Sequence, residues 1–397
     1  MPLPLSLSQD ACVVLLICAA TAVPSSAQVN FNTLVYFDRT TNGSGPSEPP
    51  VQGTDGNLYG TTFLGGTEGD GTIFKMTTGG TLTTIYTFCV ETFPCTDGAF
   101  PSGLLQATNG NFYGTTLNGG THTPCAPSAV GCGTVFKITP AGTLTTLYSF
   151  CSQTGCTDGN FPSAGLMQGR DGSFYGTTYL GGVKCSNLGG CGTVFKITHG
   201  GELTTLYSFC AQNDPNCTDG ANPNAPLLQA TDGNFYGTTY AGGSNSHGTI
   251  FRITPSGKLT SIYTFCATAN CTDGDNPNAA LLQATDGNFY GTTYFGGGNC
   301  ISVGGCGTVF EITPAGTLTT LHTFDSTDGA NPGGLVQATN GTFYGTTYGG
   351  GDQQLWHGFQ PVRGARPVRG NTAHLRQRGR TDPDSRERPQ GRNKRYI

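Results

Sequence analysis

The sequence predicts an all-β fold, a six-bladed β-propeller of four-stranded antiparallel blades, on the strength of a recurring string, its turn chemistry and its period-two alternation. Tyr-Gly-Thr-Thr begins at Tyr59, Tyr113, Tyr175, Tyr236, Tyr290 and Tyr344, a period of 54 to 62 residues. A period of that length marks one supersecondary unit that must bury its apolar face against a neighbour. Glycine supplies 63 of the 397 residues and charged side chains only 11%, the balance expected of many short strands joined by tight turns.

Each unit reads as four strands, most clearly between residues 227 and 265. An apolar run, Leu227-Leu228-Gln229-Ala230, meets Thr231-Asp232-Gly233-Asn234 and returns as Phe235-Tyr236-Gly237-Thr238-Thr239-Tyr240. Asp-Gly between apolar runs is a hairpin signal because the turn needs positive φ. A Gly-Gly loop leads to Gly248-Thr249-Ile250-Phe251-Arg252-Ile253-Thr254, apolar and polar in turn as a half-buried strand should be. Pro255-Ser256-Gly257 turns the chain into a fourth strand, Leu259-Thr260-Ser261-Ile262-Tyr263-Thr264-Phe265. Four antiparallel strands per unit, repeated, form the propeller blade pattern, and helical periodicity is absent from the unit.

The first and second strands occur six times, the third five times, and the fourth five times within complete units. A sixth fourth strand stands alone at the front as Phe31-Asn32-Thr33-Leu34-Val35-Tyr36-Phe37. That arrangement predicts a ring closed by mixed chain ends, with the N-terminal strand completing the last blade. After Gly351 the composition changes to Arg, Pro and Gln. Residues 352–397 are therefore expected to be a disordered basic tail. Shifting the frame by one nucleotide lets residues 352–359 read Thr-Asn-Asn-Tyr-Gly-Thr-Val-Phe, the repeat's own continuation, so the tail is expected to be frameshifted. At the other end, an apolar run at 11–23 followed by Ser25-Ser26-Ala27 predicts a signal peptide over residues 1–27. The propeller is then expected over 28–351.

The cysteines point to the same compartment. Fourteen of the sixteen lie beyond the leader and fall into close pairs. Cys89 with Cys95, Cys151 with Cys156, Cys210 with Cys217 and Cys266 with Cys271 occupy one kind of loop; Cys125 with Cys132, Cys185 with Cys191 and Cys300 with Cys306 occupy another. Where the equivalent loop is short, at 65–71, 242–248 and 325–329, both members are missing together, which is how disulfides behave. Each would close a small loop, stabilising by roughly 2 kcal/mol on the chain-entropy estimate, and would persist only in an oxidising compartment. The expected location is therefore secreted, periplasmic or cell-surface. A thiolate zinc site needs four convergent ligands, and each loop by itself offers two.

The units at 105–150 and 282–324, with Tyr-Gly-Thr-Thr, Gly-Gly, Gly-Thr-Val-Phe, and Leu-Thr-Thr-Leu before an aromatic-rich end, resemble the Gloeobacter/Verrucomicrobia-type (GloVer) tandem repeat. The resemblance spans nearly all of residues 29–351. It implies an exported bacterial protein, often carrying a C-terminal surface anchor or further domain, and implies no activity or catalytic residue.

Charge limits the partners. Eight of the nineteen lysines and arginines and twenty of the twenty-four acids lie in residues 1–351, leaving the body at −12 and the tail at +7. Nucleic acid is excluded as a partner of such a body. No stretch beyond the leader is apolar enough to span a membrane, and a monomer is expected. Recurrent acids sit at turns. Asp97, Asp158, Asp219, Asp273 and Asp328 in Thr-Asp-Gly are weak candidates for Ca2+, since Asp at such a site also simply makes the turn. His122, His199, His247 and His322 occupy non-equivalent positions and suggest no ligand set. No cofactor or catalytic site is predicted and the chain is not expected to be an enzyme. The expected function is a binding scaffold for a surface glycan or protein, with the loops at 121–131 and 183–190 as its recognition surface. The alternatives are a polysaccharide-acting hydrolase or lyase, or a purely structural surface protein.

Overall fold

The computed structural model describes residues 33–46, 48–90, 95–122, 131–183, 190–211, 217–298, 300 and 305–350, with the backbone of 357–359. The predicted leader, most of the tail and the tips of several cysteine loops lie outside them. Among the described residues the structure is all-β, apart from three-residue 3-10 turns at Thr154–Cys156 and Ala269–Cys271. Each repeat is one antiparallel meander. Five sheets have four strands and the sixth has three.

Sheet four shows the plan: Leu228–Gln229, Phe235–Thr239, Thr249–Ile253 and Leu259–Thr264 pair in chain order. Its third and fourth strands slip register between Ile250 and Phe251, and the same irregularity recurs in the first five sheets. A bulge of this kind adds local twist and bends the strand it interrupts.

Every letter of Tyr-Gly-Thr-Thr has a packing task. The Tyr236 hydroxyl donates to Asp232 Oδ2 at 2.9 Å, tying the strand to its own hairpin, while its ring lies 4.2 Å from that of Phe289 in the next sheet. The same inter-sheet ring pair joins Tyr59 to Phe112, Tyr113 to Phe174, Tyr175 to Phe235 and Tyr290 to Phe343. Gly237 faces Phe251 across the ladder, and a Cβ there would lie 2.6 Å from the Phe251 ring, so no larger residue fits. Thr238 Oγ1 donates to Ala279 O of the following sheet, and Thr239 Oγ1 pairs with Thr249 Oγ1 at 2.8 Å within its own. These buried hydroxyls are all satisfied, as burial demands.

The core is accordingly divided among the sheet junctions. Five buried clusters each draw residues from two consecutive sheets. The hairpins add a polar stitch: Gln283 Oε1 of sheet five accepts from Thr231 N of sheet four at 2.9 Å, and the pattern repeats at each junction from sheet one to sheet six.

The lone N-terminal segment takes the position of a preceding fourth strand. Leu34 O lies 2.6 Å from where a Gly80 Cβ would stand, as Ile85 O does at 2.4 Å for Gly142 one sheet later. Phe37 meets Phe74 with ring centroids 5.1 Å apart, matching Phe88 against Phe136 at 5.4 Å. Among the described residues no ladder joins this segment to sheet six; the segment is docked on sheet one. The prediction that the tail carries no strand needs correction. His357–Phe359 adds a third strand to sheet six, with Phe359 opposite Gly345 as Phe310 is opposite Gly291. A chain that reaches the open edge of a sheet finds unpaired backbone groups waiting there, even where its own sequence lacks β patterning.

Candidate ligand pocket

In sheets one, three, four and five the second strand ends at Thr-Thr, and the ends of the second strands converge from several sheets with the Pro-containing starts of the first. Tyr179, Tyr240 and Tyr294 follow the second strands of sheets three, four and five, and line a cavity of about 750 Å³ together with Asn118, Ser163, Asn224 and Asn278. Pockets of this size and apolar lining, with a few placed polar groups, are ordinary small-molecule sites.

The tyrosines are held by their own backbones. Asn222, Asn276 and Asn331 each reach back one sheet and donate to the carbonyls of Tyr179, Tyr240 and Tyr294 at 2.9, 2.7 and 2.9 Å. All three asparagines have φ between 51° and 57°, a left-handed conformation that Asn tolerates better than most residues. Burial pushes the Tyr240 phenol above its ordinary range, and the neighbouring Tyr179, Asp275 and Tyr294 add to the effect. The Tyr240 phenol therefore stays a neutral donor. Asn224 Nδ2 donates to Asn278 Oδ1 at 2.6 Å, and the buried Ser163 Oγ has no hydrogen-bond partner on the protein.

A smaller space of about 250 Å³ is shared by five sheets, through Glu48 and Phe63, Ser102 and Leu117, Ser163, Asn224, and Asn278. Glu48 is its one carboxyl among the described lining residues, and burial raises its pKa.

The residues singled out from the sequence lie elsewhere. The aspartates of Thr-Asp-Gly clamp the inter-sheet loops. Tyr86, Tyr148, Tyr207 and Tyr263 donate to Asp97, Asp158, Asp219 and Asp273 at 2.7 to 2.9 Å, and backbone N–H groups of the cysteine loop add further bonds. In the last loop His322 Nε2 takes the tyrosine's place, 2.8 Å from Asp328. Burial, with Asp158 as acceptor, pushes the Tyr148 phenol up to about 12 although Ser152 opposes the shift. The acceptor capacity of these carboxylates is turned inward, toward the protein's own donors. Disulfides join Cys89 to Cys95, Cys151 to Cys156, Cys210 to Cys217, Cys266 to Cys271 and Cys300 to Cys306. Cys132 and Cys191 are also disulfide-bonded, and their expected partners Cys125 and Cys185 lie outside the described residues, as do most of the two loops expected to form the recognition surface.

Nothing in the sequence marked Tyr179, Tyr240, Tyr294 or Glu48. One signal was available: the residue after Tyr-Gly-Thr-Thr runs Phe63, Leu117, Tyr179, Tyr240, Tyr294, Tyr348 while the string before it never changes.

Residues 23–217, 89–300 and 186–358 each match the Gloeobacter/Verrucomicrobia repeat, and together they cover most of the sequence. The chain is a member of that repeat family. No curated protein sequence matches it. Among solved structures it is similar to the PQQ-bound aldose sugar dehydrogenase of Streptomyces coelicolor, at 13% identity over 82% of this chain and 96% of that one, with a TM-score of 0.47. It is also similar to a luciferin-regenerating enzyme, at 12% identity over 83% of this chain and 94% of that one, again with a TM-score of 0.47. Among the described residues no helix is long and apolar enough to cross a membrane.

Proposed function

We propose that the protein is an exported binding scaffold, a six-bladed ring that takes a neutral carbohydrate into the pocket lined by Tyr179, Tyr240 and Tyr294. The observation that carries this reading is the convergence of three phenol rings and three side-chain amides, from consecutive sheets, on one cavity whose described lining bears no charge. Aromatic faces suit the C–H faces of a sugar, and phenol and amide groups suit its hydroxyls. Export is supported by the disulfides, which need an oxidising compartment. Closure of the ring is supported by the docked N-terminal segment and by the space that five sheets share.

The test is a glycan array followed by calorimetry on the hits. Tyr240→Ala is expected to weaken binding at least tenfold while the far-ultraviolet circular dichroism stays unchanged. Binding that survives Tyr240→Ala at full strength, or an array without a hit, would sink the proposal.

Catalysis has one specific foothold, the half-buried Glu48 with its raised pKa. Cleavage of a glycosidic bond ordinarily uses two carboxyl groups. If Glu48 were a general acid, Glu48→Gln would abolish product release from a bound oligosaccharide; a scaffold releases no product with either residue.

A further inference from the structure

Beyond the ligand pocket, and independent of it, the two kinds of cysteine loop meet at the sheet junctions. Cys132, which precedes the third strand of sheet two, lies against Cys151 and Cys156 of the following loop, and Cys191 lies against Cys210 and Cys217 one sheet further on. The sulfurs of each triplet all fall within 4.8 Å of one another, and Cys191 Sγ is 3.8 Å from Cys217 Sγ. The sequence-based argument that each loop supplies half a ligand set holds within a loop and fails between loops, because the fold places the halves side by side.

Two further junctions keep the same geometry with different chemistry. His247 stands where Cys132 and Cys191 stand and joins Cys266 and Cys271; Asp70 does the same with Cys89 and Cys95. The position is fixed by the backbone in every case, its carbonyl accepting from the next sheet: Cys132 O from Phe161 N, Cys191 O from Asn222 N, His247 O from Asn276 N and Asp70 O from Phe100 N, at 2.8 to 3.0 Å. Cys, His and Asp share little in size or polarity, but all three are zinc ligands. Tetrahedral zinc, with Zn–S near 2.3 Å, sets its sulfurs about 3.8 Å apart, the separation of Cys191 Sγ from Cys217 Sγ, and the two sulfurs joined in each disulfide separate to it on reduction.

We propose that these junctions are latent thiolate sites, which hold disulfides when oxidised and bind a zinc-class divalent ion when reduced. An external dithiol gives two electrons and two protons to each protein disulfide and leaves as its own disulfide. The thiols formed then lose their protons to solvent as the ion binds. The two all-cysteine junctions, each with three thiolates and a water completing the tetrahedron, are the tight sites, and those with His247 and Asp70 are weaker.

The test reduces the full chain with a dithiol, removes the reductant without air, and titrates with Zn2+ against a chromophoric chelator, with Co2+ as the spectroscopic probe. Two Zn2+ ions are expected to bind tightly, and Co2+ to give thiolate charge-transfer and tetrahedral d–d bands. Zinc should also raise the melting temperature of the reduced protein. Because unfolded cysteines bind zinc too, the same titration in urea is the control, and binding there should be at least tenfold weaker. Cys191→Ser should remove one tight ion, while Cys300→Ser, at a junction without this cluster, should remove none. Equal affinity with and without urea, no tetrahedral cobalt spectrum, or no loss with Cys191→Ser would overturn the proposal.

Discussion

Sheets five and six carry the same hexapeptide, Phe-Tyr-Gly-Thr-Thr-Tyr, at 289–294 and 343–348, yet bury it differently. Tyr290 is 1% exposed and Tyr344 is 36% exposed; Tyr348, at the end of the second copy, is 67% exposed. The difference comes from what lies beyond. Tyr290 stacks on Phe343 at 4.3 Å and Thr292 donates to Gly333 O at 2.7 Å, both in the next sheet. Sheet six has three strands and no such neighbour among the described residues. Burial in this molecule is therefore conferred by the following repeat, as expected of an array stabilised by nearest-neighbour interfaces.

The largest expected effect comes from erasing the difference. A chain continued from residue 352 in the repeat's own pattern, Thr-Asn-Asn-Tyr-Gly-Thr-Val-Phe onward, should complete sheet six against the N-terminal segment. Calorimetry should show a melting temperature about 12 °C higher or more, since each kcal/mol shifts a protein of this size by about 2 °C; an unchanged transition would mean that the last sheet is not limited by its missing strands.

Next comes a matched pair of truncations. Tyr290→Ala removes a buried ring and should cost about 3–5 kcal/mol in denaturant unfolding, whereas Tyr344→Ala should cost under about 1 kcal/mol. Equal costs would show the second tyrosine to be as covered as the first. Thr292→Val, which leaves the Gly333 carbonyl without its donor, should cost about 1 kcal/mol.

The smallest effect is a pH dependence in the loop leading into sheet five. Burial raises the pKa of Asp273, but hydrogen bonds from Thr268, the Ala267 N–H and Tyr263 outweigh it and leave the carboxyl below its ordinary value. A carboxyl depressed in the folded state adds stability above the unfolded pKa, about 3.9, and loses it as pH falls through the folded value. Asp273→Asn should therefore flatten the loss of stability below about pH 4. A variant with the same acid limb as the parent would place that limb elsewhere.

The four-stranded repeat was legible because its instructions are local and repeated. An Asp-Gly turn, a strand of alternating character and a Gly under a Phe ring sit within a few dozen residues, and six copies let each confirm the others. The pocket was not legible, for the opposite reason. Tyr179, Tyr240 and Tyr294 are far apart in the chain and meet only because the sheets stack around a shared space, and Glu48 stands in a proline-rich approach to the first sheet that resembles no other copy. The junction clusters were nearer to hand: Cys132 stands just before the third strand of sheet two and Cys151 just after the fourth, and the hairpin register that sets Thr134 opposite Ser149 places them side by side.

The glutamine stitch between hairpins runs one way: each sheet offers an acceptor to the sheet before it and a donor to the sheet after it. Such a head-to-tail joint is heterologous, and it closes a ring or runs on without end according to the angle between units. Duplicating or deleting one repeat thus keeps the chemistry of the glutamine joint, while a ring of a different size needs every joint to change its angle.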